Sequence, residues 1–222
     1  MQKNSLAILS ILVLGTSSAY AATTTYTSQA DFLNDLTQPA ITVDFESFSS
    51  GDIIPNGASA GGATVTYDLG GAQLMVDDFY DTTSPNNYLG TDDPFSDYSL
   101  YGGDSVTVTF DSAMYAFGLY VISGDTIYDD DFTITTNSGQ SASSSSVFDV
   151  ALLDGEAYYL GLIEDDYTQG FTSVTFSSYP EDYVFNIDDI TVSAVPEPST
   201  YLLFSLGLLG VVGMSRRRLR YS

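Results

Sequence analysis

The run Phe185-Asn186-Ile187-Asp188-Asp189-Ile190-Thr191-Val192 decides the fold. Phe185 and Ile187 set one period-two alternation, whereas Ile190 and Val192 set the opposite phase. Successive side chains of a strand point to opposite faces. A phase break therefore means burial on both faces, or a bulge at the two aspartates. Similar runs lie upstream. Ile41, Val43 and Phe45 alternate with polar residues, as do Val106, Val108 and Phe110, then Phe132 and Ile134, and Val174 and Phe176. Short β-branched and aromatic runs between Gly, Ser, Asn and Asp predict an all-β chain. The expected fold is an antiparallel β-sandwich of about nine or ten strands, jelly-roll-like.

Met114 to Ile122 and Ala157 to Ile163 are apolar at both phases. They are expected as central strands, covered on one side by the core and on the other by a loop or helix. A short N-terminal helix is expected from Thr27 or Ser28 to Leu36, with Phe32, Leu33 and Leu36 on one side and Pro39 closing it. Ser141 to Ser146 is low in complexity and fits a hairpin tip, while Asp81 to Asp97 is the longest irregular stretch and a candidate functional loop.

The 222 residues hold 29 Asp and Glu against 5 Lys and Arg, a formal net charge of −24. The basic residues are Lys3, Arg216, Arg217, Arg218 and Arg220, and none lies between Asn4 and Ser215. Nucleic acid is thereby excluded as a partner, because phosphate binding needs Lys or Arg to displace counterions. Anionic lipid surfaces and phosphorylated substrates are disfavoured for the same reason. No cysteine and no histidine occur. Disulfides, thiolate chemistry, His-ligated zinc and Ser-His-Asp catalysis fall away together. Carboxylate pairs alone survive from the common catalytic apparatus.

Both ends read as address signals. Lys3, the apolar stretch Leu6 to Gly15 and Ala19-Tyr20-Ala21 form a secretory signal peptide over 1–21, cut after Ala21. At the other end, Val195-Pro196-Glu197-Pro198-Ser199 precedes an apolar run from Tyr201 to Met214 and then Arg216-Arg217-Arg218-Leu219-Arg220. Arginine is costly to draw through hydrocarbon, so Arg216, Arg217, Arg218 and Arg220 form a cytoplasmic stop signal. The apolar run is shorter than the roughly 20 residues that span a bilayer comfortably. A C-terminal transmembrane helix there is expected to hold the chain in the inner membrane transiently, before cleavage.

These parts, in this order, resemble the sorting signal of PEP-CTERM proteins, with Pro196, Glu197 and Pro198 as its motif. The resemblance covers 195–222 only. It implies a membrane-embedded, exosortase-type partner that cuts near the motif, and a link to exopolysaccharide and surface biogenesis. The chain then divides into the signal peptide, a β-sandwich domain over 22–194 and the sorting segment 195–222.

Acidic doublets recur, at Asp77-Asp78, Asp92-Asp93, Asp129-Asp130-Asp131, Asp165-Asp166 and Asp188-Asp189. Calcium would relieve their repulsion, since it takes six to eight oxygen ligands; acidic loop tips also simply keep a secreted domain dispersed. The ending Ile187-Asp188-Asp189-Ile190 resembles the last strand of calcium-containing jelly-roll carbohydrate-binding modules. That resemblance implies a structural Ca2+ joining Asp188 or Asp189 to Glu46, with Asp44 as a further ligand, both in Asp44-Phe45-Glu46. Tyrosines beside aspartates, at positions 80, 88, 98, 101, 128 and 167, suit sugar stacking. Tyr88 and Tyr101 are the candidate ligand-binding rings. The expected function is that of an exported, non-catalytic protein of the cell surface or extracellular matrix, associated with polysaccharide. The alternatives are a binding module for neutral glycans and a carboxylate-dependent glycan-acting enzyme.

Overall fold

Residues Ser105–Ser123 form one strand of 19 residues on which the rest of the molecule is assembled. The computed structural model describes residues 22–165, 170–179 and 183–195. The expected signal peptide, the Pro196-Glu197-Pro198 motif, the C-terminal helix, the four terminal arginines and Tyr167 lie outside them. No helix among the described residues is long and apolar enough to cross a membrane.

The strands run in chain order as β1 (Thr23–Tyr26), β2 (Ala40–Val43), β3 (Ile53–Ile54), β4 (Ala58–Ala60) and β5 (Ala63–Asp68). There follow β6 (Leu74–Asp77), β7 (Tyr88–Thr91), β8 (Leu100–Tyr101), the long β9 (Ser105–Ser123) and β10 (Phe132–Thr136). The series ends with β11 (Ser141–Ser143), β12 (Val150–Ala151), β13 (Glu156–Glu164), β14 (Phe171–Ser178) and β15 (Val184–Ala194). Every pairing is antiparallel.

The two halves of β9 belong to different neighbourhoods. Its first half lies between β5 and β14, with Val108 opposite both Val65 and Val174. Its second half lies between β13 and β15, with Val121 opposite Tyr158 and Ile187. A single strand that changes partners midway gives a sandwich-like body its two faces. Phe117, Leu119 and Val121 from β9, Leu160 and Leu162 from β13, and Phe132, Phe176 and Phe185 fill the main core. Phe132 stacks on Phe176 at 5.8 Å and meets Phe185 edge-on at 4.8 Å. Each such ring contributes about 1.5–3 kcal/mol through burial, with roughly 0.5–1.5 kcal/mol more from each ring pair.

The opposite phase of the same two strands builds a second cluster. Ala116, Tyr120 and Ile122 join Ala157, Tyr159 and Ile163 beneath Phe32 of the helix α1 (Gln29–Asp35). This explains why Met114 to Ile122 and Ala157 to Ile163 are apolar at both phases. Ser28 occupies the N-cap position of α1 without a side-chain cap bond, and Phe32 is fully buried. Leu33, expected beside Phe32, is instead largely exposed. Its place on so short a helix turns it away from the sheet.

Three segments differ from expectation. Ser141–Ser143 is an edge strand paired with Thr133–Thr135, and the hairpin turns at 137–140. Ala142 is buried there, and the Ser144 hydroxyl accepts the Phe132 N–H, so the serines serve as strand and anchor. The stretch expected to be irregular over Asp81 to Asp97 contains β7, buried along its whole length, and a 3-10 turn at Pro94–Ser96. Ile41 and Val43 alternate as expected, yet among the described residues β2 pairs only with β15, and both side chains lie exposed on this outer strand.

Candidate functional site

The phase break in β15 is a bulge. Asp188 pairs with Tyr120 and Thr191 with Gly118, so β15 spends one residue more than β9 between them. Asp189 takes the extra place with φ 50°, a left-handed conformation that aspartate tolerates better than most residues. The bulge turns Asp188 fully inward. No arginine or lysine lies among the described residues to meet it.

The loop Thr82–Asn87, between β6 and β7, meets it instead. Asp188 Oδ2 accepts the Thr82 hydroxyl, the Thr83 hydroxyl at 3.0 Å and the Ser84 N–H at 2.9 Å. Its Oδ1 accepts the Asp189 N–H at 2.7 Å. Hydrogen bonds to a charged group are worth about 1.5–3 kcal/mol each, enough to hold a carboxylate that burial penalises. Burial still pushes Asp188 above the ordinary carboxylate range, while these donors pull it back. Asp189 is pushed up to about 6, by burial first and then by repulsion from Asp188.

Glu46 grips the same loop from the other side. Its Oε1 accepts the Asn86 and Asn87 N–H groups, both at 2.7 Å, and its Oε2 accepts Asn86 Nδ2 at 3.3 Å. The Asn87 and Asn86 amides hold its carboxyl below the ordinary value. Asn87 returns the contact through Nδ2, donating to the carbonyls of Phe45 and Phe48 at 3.1 and 3.0 Å. The Ser84 hydroxyl lies 3.2 Å from both the Asp44 carbonyl and Glu46 Oε1. The Asp44 carboxylate itself accepts the Glu46 N–H, at 3.2 Å.

Asp44, Glu46, Asp188 and Asp189 are thus gathered around one loop, but the calcium expected among them is overturned. Among the described residues no group of three or more Asp, Glu, His or Cys side chains could hold a metal ion. The physical reason is competition. The oxygens of Glu46 and Asp188 already face N–H and O–H donors, whereas calcium needs their lone pairs turned toward a common centre. With those oxygens engaged, the two carboxylates fix a loop.

The tyrosine expectations separate. Tyr88 is 1% exposed, its ring enclosed in the core and its hydroxyl accepting the Tyr80 N–H at 3.3 Å. A sugar cannot stack on it. Tyr101 lies on β8, partly exposed, with its N–H donated to Asp104 at 2.8 Å. Thr82, Thr83, Ser84, Asn86 and Asn87 were not singled out from the sequence. Their signals are the candidate functional loop Asp81 to Asp97 that contains them and a run of short donor side chains just before a strand.

The tail has its own identification. The family model of the PEP-CTERM protein-sorting motif matches residues 194–218. A comparison with curated proteins finds no match. The chain therefore carries a PEP-CTERM sorting motif, which supports export and processing by an exosortase-type system.

Proposed function

We propose that the protein is a non-catalytic component of the cell surface or its extracellular matrix, exported, held briefly in the inner membrane and released from its tail by an exosortase-type enzyme. The observation that carries this is the sorting motif at residues 194–218 attached to a sandwich-like body. The body supplies further support. It has no Lys, Arg, His or Cys between Asn4 and Ser215, so nucleophiles activated by imidazole and thiolate chemistry are absent from it. Its Glu46 and Asp188 carboxylates hold a loop. A polyanion of this kind stays dispersed and avoids anionic surfaces, which suits an association with uncharged exopolysaccharide. A jelly-roll-like course of the strands belongs to the same proposal.

Replacing Pro196-Glu197-Pro198 by three alanines in the producing cell tests the sorting step. Intact mass of the unchanged protein is expected to show a C-terminus lacking Arg216 to Arg220. The altered protein is expected to keep the arginines and remain in the membrane fraction. An unchanged protein that retains its full arginine tail would contradict the proposal.

A further inference from the structure

β9 is continuous from Ser105 to Ser123 but not regular in its pairing. Ser173 of β14 lies opposite Thr109 and Phe171 opposite Met114, so β9 advances five residues where β14 advances two. The intervening residues 110–113 bulge away from β14, and Asp111 and Ser112 are exposed there. The Asp111 N–H donates to the Gly62 carbonyl at 2.9 Å, which ties the bulge to the turn before β5. β15 ends beside it. Ala194 pairs with Met114, and the Val195 N–H donates to the Ala113 carbonyl at 2.9 Å. Gly170, at φ 62°, closes the other side, where a Cβ would come within 2.7 Å of both Val195 Cγ2 and the Met114 carbonyl oxygen. Val195 is thereby fixed to the body by its backbone and by its side chain.

Pro196 follows Val195 directly. Each residue advances a chain by at most about 3.5 Å, so Pro198 lies within about 11 Å of Val195, and Tyr201, where the apolar run starts, within about 21 Å. A folded domain of about 100 residues already has a radius of gyration of about 13 Å. A membrane-embedded enzyme that cuts near Pro196-Glu197-Pro198 therefore works in contact with this end of the body. Fraying of β15 is the other way to make room. It would break ladders on both flanks, because Ser193 pairs with both Ala40 and Ala116. It would also uncover the buried Ser193 hydroxyl, which donates to the Pro39 carbonyl at 2.9 Å. Contact leaves all of these in place. The bulge offers the enzyme a carboxylate and a hydroxyl with no cation nearby, so the matching surface is one that carries hydrogen-bond donors or positive charge.

We infer that the bulge at 110–113 is a docking surface for the exosortase-type enzyme, and that contact with Asp111 and Ser112 positions the adjoining motif for cutting. The inference rests on the sorting proposal above and adds the part of the body that the enzyme touches. Asp111 and Ser112 act as positioning residues, through the Ala113–Val195 bond that holds the start of the motif beside them.

The test follows the full chain in the producing cell by pulse-chase, with the C-terminus read by intact mass. Asp111→Arg and Ser112→Trp alter the bulge. A third variant carries a flexible insert of about ten Gly and Ser residues between Val195 and Pro196, which adds about 17 Å of reach. That insert leaves the spacing from the motif to the apolar run unchanged. Each of the three is expected to lose its arginine tail about tenfold more slowly than the parent, because positioning is lost. Asp78→Arg, the same charge change at an exposed site after β6, is expected to convert at the parent's rate. Asp111 and Ser112 are exposed, so their variants keep the parent's thermal midpoint and separate docking from folding. Conversion of the bulge variants at the parent's rate would overturn the inference. So would an insert that is cut as fast as the parent or faster, or an Asp78 variant slowed as much as Asp111→Arg. A parent that keeps its arginines would instead remove the sorting proposal, and this inference with it.

Discussion

Glu46 and Asp188 hold one loop from opposite sides, and their carboxyls are shifted in opposite directions. Glu46 stands in a turn near the surface, where two backbone amides favour its charge and little burial opposes them. Asp188 sits on a bulge with no exposed surface, where burial outweighs four donors. The contrast shows what a body without cations does with an inward carboxylate. It surrounds the group with backbone N–H and hydroxyl donors, and the depth of the site decides whether charge is favoured.

The largest effect is expected at the deeper residue. Asp188→Ala strands the Thr82 and Thr83 hydroxyls and the Ser84 amide, and should cost about 3–5 kcal/mol. In a domain of this size that lowers the thermal midpoint by about 10–15 °C. Asp188→Asn keeps an acceptor oxygen and should cost about 1–2 kcal/mol, since burial no longer penalises a charge. If both changes were equally harmful, the bonded oxygens would not be what holds the loop. A smaller effect is expected for Glu46→Gln, because water can reach the amides it leaves. Hydrogen exchange should show the Asn86 and Asn87 amides opening faster while those of β9 keep their protection.

The two sides also predict a pH profile. Asp189, at about 6, binds its proton more readily in the folded protein than in the unfolded chain, where its ordinary value is 3.8. Stability should therefore rise as pH falls from 7 through 6, as should any contribution from Asp188. Glu46 acts in reverse. Its contribution is present above the ordinary value of 4.5 and is lost as pH falls through its lowered folded value. Thermal midpoints should pass through a maximum below about pH 4.5, where the loss at Glu46 overtakes the gain that Asp189 keeps making down to its unfolded value of 3.8. Asp189→Asn should flatten the alkaline side of that maximum and leave the acid side in place. A profile that declines steadily from pH 7 downward would remove the proposed opposition.

How much of this was legible in the chain depends on the kind of signal. The bulge announced itself through the phase change between Ile187 and Ile190, because a period of two registers a single extra residue. The two buried faces of β9 and β13 were visible in runs with no polar position. Tyr88 was expected among the ligand-binding rings, but β7 has four residues and is buried at each, leaving no alternation to read. The gathering of Glu46 and Asp188 was implied by the resemblance to calcium-containing jelly-roll modules, not by the acidic residues themselves. What satisfies them was implied by neither. Thr82, Thr83, Ser84, Asn86 and Asn87 are ordinary loop residues, and only the closed fold aims their donors at carboxylates far away in the chain. The calcium expectation failed at that point, since acidic residues alone do not reveal which donors reach them first.

Carboxyl carbon resonances of Asp188, Asp189 and Glu46, followed against pH with and without millimolar calcium, test the central claim directly. The donor-held loop predicts that Asp189 titrates near 6 and Glu46 below its ordinary value, with curves that coincide in the two conditions. Calcium drawing Asp188 and Asp189 down below the ordinary carboxylate range would show a metal at the bulge and contradict the account.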